Sequence, residues 1–154
     1  MSAKLGYNMA NSFVLRPKDL QAAHDMVQLK AEIKDAAKLR EDFAAAMKSI
    51  SRNLDFEMDN MIIIVPSSPD EIVAEGHALR TCVGTGGYIE RVVRRECIIL
   101  FLRRCEDVSK PFYTVEVDVH SRKAVQVRGM QNAGMTADVR SFMDRFERDV
   151  LMAA

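Results

Sequence analysis

The chain has 154 residues, 48% of them hydrophobic and 29% charged, and its 22 basic and 22 acidic residues give a formal net charge of zero. This composition is typical of a single soluble globular domain. The balanced charge excludes a chain-wide attraction to nucleic acid or to an anionic membrane, so any basic surface must be local. No stretch approaches the roughly 18 apolar residues of a membrane span, and the first residues, MSAKLGYNMANSF, lack the apolar core of a secretory signal. We therefore expect a cytoplasmic protein without a membrane partner.

The chain contains three cysteines, Cys82, Cys97 and Cys105. An odd number without paired spacing argues against a disulfide framework, and the absence of any CxxC or HxxxH pair argues against a structural zinc site. We therefore predict free thiols, no metal site and no cofactor.

The first part of the chain predicts helical structure. Pro17 suits the first turn of a helix, and neither proline nor glycine interrupts 18–61, so the helical pattern can extend as far as Leu54. Two helices and one long bent helix both fit this pattern. We assign 1–60 to an N-terminal helical segment and 61–154 to an α+β core that forms one globular unit.

A strand and a helix are expected next. Residues 55–60 predict a polar, acidic break, and MIIIVP, a run of β-branched residues closed by Pro66, is typical of a buried strand. Ser68 then predicts an N-cap, with Pro69 at the first position of a helix that runs to Val83. The residues expected to end this helix are glycines: Gly84, Gly86 and Gly87.

The second half of the chain predicts an antiparallel sheet between helices. A helical pattern over 88–95 precedes an apolar strand over 97–102, and the strands FYTVEVDV and AVQVRGMQ follow after short turns. Thr136 then predicts the N-cap of an amphipathic C-terminal helix. The predicted fold class is α+β: an N-terminal helical segment, a strand and a helix, then a three-stranded antiparallel meander and a C-terminal helix.

Strand alternation predicts that the meander has two unlike faces. A short loop between its last two strands would pair Glu116 with Gln126 and Thr114 with Arg128, and directly opposed residues share a face. One face carries valines for the helices. The other carries polar side chains, those of Arg103, Thr114, Glu116, Gln126 and Arg128. The loop GMQNAG adds two amides nearby, those of Gln131 and Asn132. A plain solvated sheet face is the alternative interpretation.

Catalysis is the first class of function that these residues suggest. His77 and Cys82 are five residues apart, so one helix would turn their side chains apart by about 140°. Thiol catalysis would need His77 to activate Cys82. Phosphodiester chemistry would use Arg103 and Arg128 to hold phosphate, Glu116 as the base and His77 as the acid. We take His77, Cys82 and Glu116 as candidate catalytic residues and leave open whether the protein is an enzyme.

A binding module is the second class. Aromatic rings beside a charged sheet face are suited to single-stranded nucleic acid or a nucleotide. The candidate binding residues are Tyr88, Arg103, Thr114, Gln126, Arg128, Gln131 and Asn132. A basic run at Arg91, Arg94 and Arg95 adds charge nearby, although such runs are usually solvated helix faces. The third class is a protein–protein effector with no catalytic activity.

Four motifs follow one another along the chain: EGHALRTCVGTGGY, IILFLR, PFYTVEVDV and AVQVRGMQNAG. Their order, with RPKDLQAAHD upstream, resembles the PcfJ-like family of conjugative plasmids and related mobile elements over about 13–151. The positions that match the family pattern are Glu75, Gly76, Leu79, Cys82, Val83, Tyr88, Arg103, Pro111, Thr114, Glu116, Gln126, Gly129 and Asn132. Family members often have a histidine immediately before the cysteine, where this chain has Thr81.

The resemblance implies a mobile-element accessory protein. Combined with the polar sheet face, it predicts a pocket that binds nucleic acid or a nucleotide, with phosphodiester processing left open. The alternative is a small protein–protein effector that inhibits a host defence system without catalysis.

Overall fold

The computed structural model describes residues 35–81 and 87–152. The chain divides into two compact units, Met1–Leu39 and Arg40–Ala154, and the second unit carries the sheet. The predicted helix start at Pro17 lies outside the described residues, and the predicted domain division after residue 60 stays a prediction. None of the helices in the described ranges combines the length and the apolar character that crossing a membrane requires.

Helix α1 occupies 35–50, which confirms the helical prediction for that part of the chain. It buries Phe43, Ala46 and Met47, whose spacing of three and four residues places them on one side of the helix. An ion pair between Arg40 and Asp70, with 2.9 Å between Nε and Oδ2, joins this helix to the next one on the protein surface.

The predicted polar break at 55–60 is wrong, because it contains a strand and a tight turn. Strand β1 is Glu57–Met58 and strand β2 is Met61–Ile64. Asp59 and Asn60 connect them with φ angles of 53° and 63°, a backbone conformation that short polar side chains tolerate and that matches the twist of a hairpin. A strand of two residues is too short to show the alternation on which a sequence prediction depends.

Helix α2, Pro69–Leu79, begins as predicted, with Ser68 at the N-cap position. It ends earlier than predicted. Arg80 takes the left-handed conformation, with a φ of 57°, and its N–H bonds back to the carbonyls of the helix end. The prediction that the helix runs to Val83 and is ended by glycines is therefore wrong.

The sheet has five strands in the order β1-β2-β3-β4-β5, and all neighbours are antiparallel. Helix α3, Tyr88–Val93, leads into β3, Cys97–Arg104, which is followed by β4, Tyr113–Asp118, and β5, Lys123–Arg128. The predicted α+β class and the predicted meander of β3, β4 and β5 are confirmed, and the β1–β2 hairpin extends that meander to five strands.

The predicted strand register is also confirmed. Glu116 lies opposite Gln126, and Thr114 lies opposite Arg128. Immediately after Glu116 the register shifts by a bulge, so that Val117 lies opposite Ala124. The polar residues of β4 and β5 therefore share one face of the sheet up to the bulge.

Both faces of the sheet centre are covered by helices. Helix α4, Ala137–Phe146, lies on the apolar face, where Arg104 of β3 bonds Asp138 with 3.3 Å between Nη2 and Oδ2. Its apolar residues Val139, Phe142, Met143 and Phe146 are all buried. A wide turn over Glu147–Leu151 continues this helix. On the opposite face α2 covers Arg103 and α3 covers Glu116.

Candidate functional site

A concavity opens on the polar face of the sheet, over β3, β4 and β5. Its lining consists of Thr81, Tyr88, Ile99, Thr114, Glu116, Gln126, Arg128 and Asn132. The free space measures about 310 Å³ when the open mouth is included. Inside the lining there is room for about one water molecule. The concavity is therefore shallow and open, so a ligand would contact its lining while remaining largely outside.

The floor of the concavity is formed by β4. Thr114 and Glu116 are two residues apart on one strand, so their side chains project to the same face. Each is only 7% exposed, because Phe101 and Ile99 lie opposite them on β3 and α3 packs above. Polar groups buried to this degree normally have hydrogen-bond partners, so their partners decide what this floor can do.

Among the described residues, Glu116 has one partner, and that partner comes from α3. Arg91 Nη1 lies 2.9 Å from Glu116 Oε2, and the same guanidinium lies 5.8 Å from the centre of the Tyr88 ring. Residues three apart on a helix share a face, so the face of α3 that places Tyr88 in the lining also carries Arg91 to Glu116. Glu116 Oε1 has no further partner among the described residues, which leaves one carboxylate oxygen able to accept a hydrogen bond.

Two hydroxyl groups in the lining lack partners among the described residues. The Oγ1 atoms of Thr114 and Thr81 are buried and make no hydrogen bond within the described part of the chain. A buried hydroxyl without a partner costs about 1–3 kcal/mol. Two such groups lining the same concavity are therefore donors and acceptors that a ligand would satisfy.

Arg128 and Gln126 form the exposed side of the concavity on β5. Within the described ranges, the Arg128 guanidinium makes no ion pair or hydrogen bond. Since Arg91 and Glu116 neutralise each other, Arg128 leaves the lining with one uncompensated positive charge. A guanidinium with all its donors unused is suited to a phosphate or carboxylate group.

The loop after β5 brings Asn132 to the concavity. The loop closes through a hydrogen bond from the Gly129 N–H to the Ala133 carbonyl at 2.8 Å, and the Tyr113 hydroxyl donates to the Gly134 carbonyl at 2.9 Å. Gly129 permits a close approach, because a Cβ atom there would lie 3.0 Å from the Tyr113 ring and the ring would have to shift by a few tenths of an ångström. The buried tyrosine thus fixes the position of the loop.

Arg103 does not line the concavity. Its guanidinium pairs with Glu75 of α2 and donates from Nη1 to the Val108 carbonyl at 2.8 Å, with Cζ 5.0 Å from the centre of the Phe101 ring. Both partners are buried, Glu75 at 2% and Arg103 at 8% exposure. Burial raises the pKa of the Glu75 carboxyl above its ordinary value, although the Arg103 charge acts in the opposite direction. This pair fastens α2 to β3.

The structure brings together part of the predicted set of site residues. Those that line the concavity are Tyr88, Thr114, Glu116, Gln126, Arg128 and Asn132. His77 and Gln131 are exposed and do not line it, and Cys82 lies outside the described residues. Prediction from sequence missed Thr81 and Arg91. The three-residue spacing of Tyr88 and Arg91 indicates that both lie on one face of α3. The basic run by itself predicts only that Arg91 adds charge near the site.

No cluster of three or more histidine, cysteine, aspartate or glutamate side chains suited to a metal ion occurs among the residues that the structure describes. Of the described cysteines, Cys97 is buried and Cys105 is half-buried, and both are free thiols. Burial raises the pKa of the Cys97 thiol to about 11.

Comparisons with known proteins give a family match and a curated relative. The family model described as "PcfJ-like protein" matches residues 1–142. "Uncharacterized protein Lin1253/Lin1744" of Listeria innocua serovar 6a (strain ATCC BAA-680 / CLIP 11262) is 28% identical over 142 residues, which cover 89% of this chain and 30% of the relative. The chain thus spans about 30% of the length of that relative. No solved structure matches the chain.

Proposed function

Because the chain belongs to the PcfJ-like protein family, we propose that it is an accessory protein of a mobile genetic element whose concavity binds a phosphate-bearing nucleoside, either free or within a single strand. The family supplies the association with plasmids or other mobile elements. The resemblance inferred from the order of the motifs is confirmed by the family match. The residues of the concavity support the ligand class.

One observation carries the choice of ligand. The Thr114 hydroxyl is buried without a partner in the described chain, in the same concavity as the unpaired guanidinium of Arg128. A phosphate oxygen accepts hydrogen bonds from both kinds of donor. Tyr88 and the amides of Gln126 and Asn132 add a ring and hydrogen-bonding groups of the kind that bind nucleosides in single strands.

The proposal is binding without phosphodiester cleavage. Arg91 holds Glu116 at 2.9 Å, so the Glu116 carboxylate is suited to act as a fixed hydrogen-bond acceptor. The predicted acid, His77, is exposed on α2 and does not line the concavity. A general acid must come within hydrogen-bond reach of its substrate, and His77 is not placed for that role.

Replacing Thr114 with valine tests the proposal, because it separates binding from folding. Valine keeps the shape and removes a hydroxyl that has no partner among the described residues, so the free energy of unfolding is expected to stay the same or to rise. Binding of a labelled single-stranded oligonucleotide, followed by fluorescence anisotropy, is expected to weaken about tenfold, since a hydrogen bond to a charged oxygen is lost. Unchanged affinity in a folded Thr114→Val protein would place the ligand elsewhere.

The charge contribution is tested with a matched pair of variants. Arg128→Gln removes the unpaired guanidinium of the concavity, and Arg140→Gln makes the same change on an exposed position of α4, on the other face of the sheet. Affinity of the parent protein is expected to fall steeply with salt, and Arg128→Gln is expected to reduce the slope of log K against log salt by about one. Arg140→Gln is expected to leave the slope unchanged. Binding only to a protein, without salt dependence, would instead support the effector alternative.

A further inference from the structure

We propose that the concavity also selects among nucleobases, and favours those with an exocyclic amino group over those with a carbonyl at the same position. This inference rests on the proposed function and adds the identity of the base. It starts from Glu116, an acceptor-only group in a lining that is otherwise rich in donors.

The position of the Glu116 carboxylate is set from two sides. The β4 strand fixes its backbone, and Arg91 holds Oε2 at 2.9 Å. Oε1 is left without a partner among the described residues. Since an ionised carboxylate donates no hydrogen bond, only an N–H or O–H group of the ligand can satisfy this oxygen.

Gln126 lies directly across the strand pair from Glu116 and lines the same concavity. Its amide both donates and accepts, so together the two side chains offer a fixed acceptor beside an adaptable group. Carboxylates of this kind accept from the amino group of cytosine, and glutamine amides pair with adenine. A carbonyl oxygen in place of the amino group would face the Glu116 carboxylate. The two oxygens would repel each other, and neither would receive a hydrogen bond.

The rest of the lining excludes a simple cation as the preferred ligand. Arg128 contributes an uncompensated positive charge beside the carboxylate, which disfavours a metal ion or an ammonium group with no anionic part. A ligand that satisfies Arg128, the Thr114 hydroxyl and Glu116 Oε1 together carries an anionic group and an N–H donor. An amino-bearing nucleotide meets both conditions.

The test compares oligodeoxycytidine with oligodeoxyuridine of the same length, measured by fluorescence anisotropy with the parent protein. The two strands carry the same phosphates and differ on the base edge: cytosine presents a 4-amino group beside an unprotonated N3, and uracil presents a 4-carbonyl beside an N3–H. We expect the cytidine strand to bind about tenfold more tightly. Glu116→Gln is expected to reduce this preference to less than about twofold, because the glutamine amide can rotate to donate to a carbonyl.

Glu106→Gln, an exposed carboxylate in the β3–β4 loop, is the control and is expected to keep the full preference. Equal affinity of the parent protein for both strands would overturn base selection and leave the proposed nucleic-acid binding intact. Absence of binding to either strand, and to the corresponding mononucleotides, would overturn the proposed function itself. The comparison in the parent protein decides the question even if Glu116→Gln does not fold.

Discussion

Replacing Arg103 with methionine removes one partner of the buried ion pair between β3 and α2. Glu75 then keeps a carboxylate that is 2% exposed and has no counter-charge. Removing one member of a buried pair costs about 3–5 kcal/mol, because the remaining charge is uncompensated. The lost bond from Nη1 to the Val108 carbonyl and the lost contact with the Phe101 ring place the expected cost toward the upper end of this range.

The double replacement Arg103→Met with Glu75→Leu is expected to be less destabilising than Arg103→Met alone. The native pair is incompletely satisfied, since Glu75 Oε2 and Arg103 Nε are both buried without a partner in the described chain. Replacement of such a pair by apolar residues of similar size is often neutral or stabilising. The second substitution should therefore restore most of the lost stability.

The assay is urea unfolding followed by circular dichroism, with the free energy of unfolding taken from the linear extrapolation. Arg94→Met is the matched control, because it breaks the Arg94–Glu96 pair, which also lies within hydrogen-bond distance, at 2.9 Å, but is exposed to water. That change is expected to have little effect on stability, since water screens the pair. A loss in Arg103→Met no larger than in this control would refute the reasoning, as would a double variant less stable than the single one.

The cost of Arg103→Met is expected to depend on pH. Burial raises the pKa of Glu75 in the folded protein, so the folded state favours the protonated form, and stability is lost as pH rises through the folded pKa. Arg103 lowers the folded-state pKa of Glu75. Removing Arg103 therefore raises that pKa further, so that the loss of stability continues to higher pH. Acidification from about pH 8 to about pH 5 should therefore reduce the deficit of the variant. A deficit that grows on acidification would contradict this sign.

Two further predictions concern the β5 end of the sheet. Gly129→Ala places a Cβ atom 3.0 Å from the ring of Tyr113. This contact is expected to lower the free energy of unfolding by about 1–3 kcal/mol in the same urea assay. An unchanged midpoint would show that the ring can move aside. Glu147→Ala frees the backbone N–H of Ala124, which donates to Glu147 Oε2 at 2.9 Å, and leaves the β5 edge more open. We expect self-association, measured by light scattering, and a variant that stays monomeric at all concentrations would contradict a protective role for this bond.

The sequence alone was sufficient for the three-stranded meander of β3, β4 and β5 and for which of its side chains share a face. The period-two pattern of β4 is local information, and a short connection to β5 left little freedom in the register. Glu116 and Gln126, and Thr114 and Arg128, therefore lie opposite each other as predicted. The family could also be inferred from the sequence alone, because the order of the motifs does not depend on conformation.

The covering of the polar face could not be predicted in this way, because strand alternation says on which side a residue lies and not what lies above it. Arg91 and Arg103 show the difference. The sequence predicts for Arg91 only a charge near the site within a basic run, whereas its guanidinium holds Glu116. Arg103 is predicted in the site itself and instead binds Glu75, 28 positions away.

These outcomes depend on how α2 and α3 pack on the sheet. The early end of α2 at Arg80 is a case of the same kind, since a left-handed cap at a non-glycine residue is stabilised by its surroundings. Contacts between distant segments are set by the packing of whole elements. Their energies do not appear in any local pattern of residues.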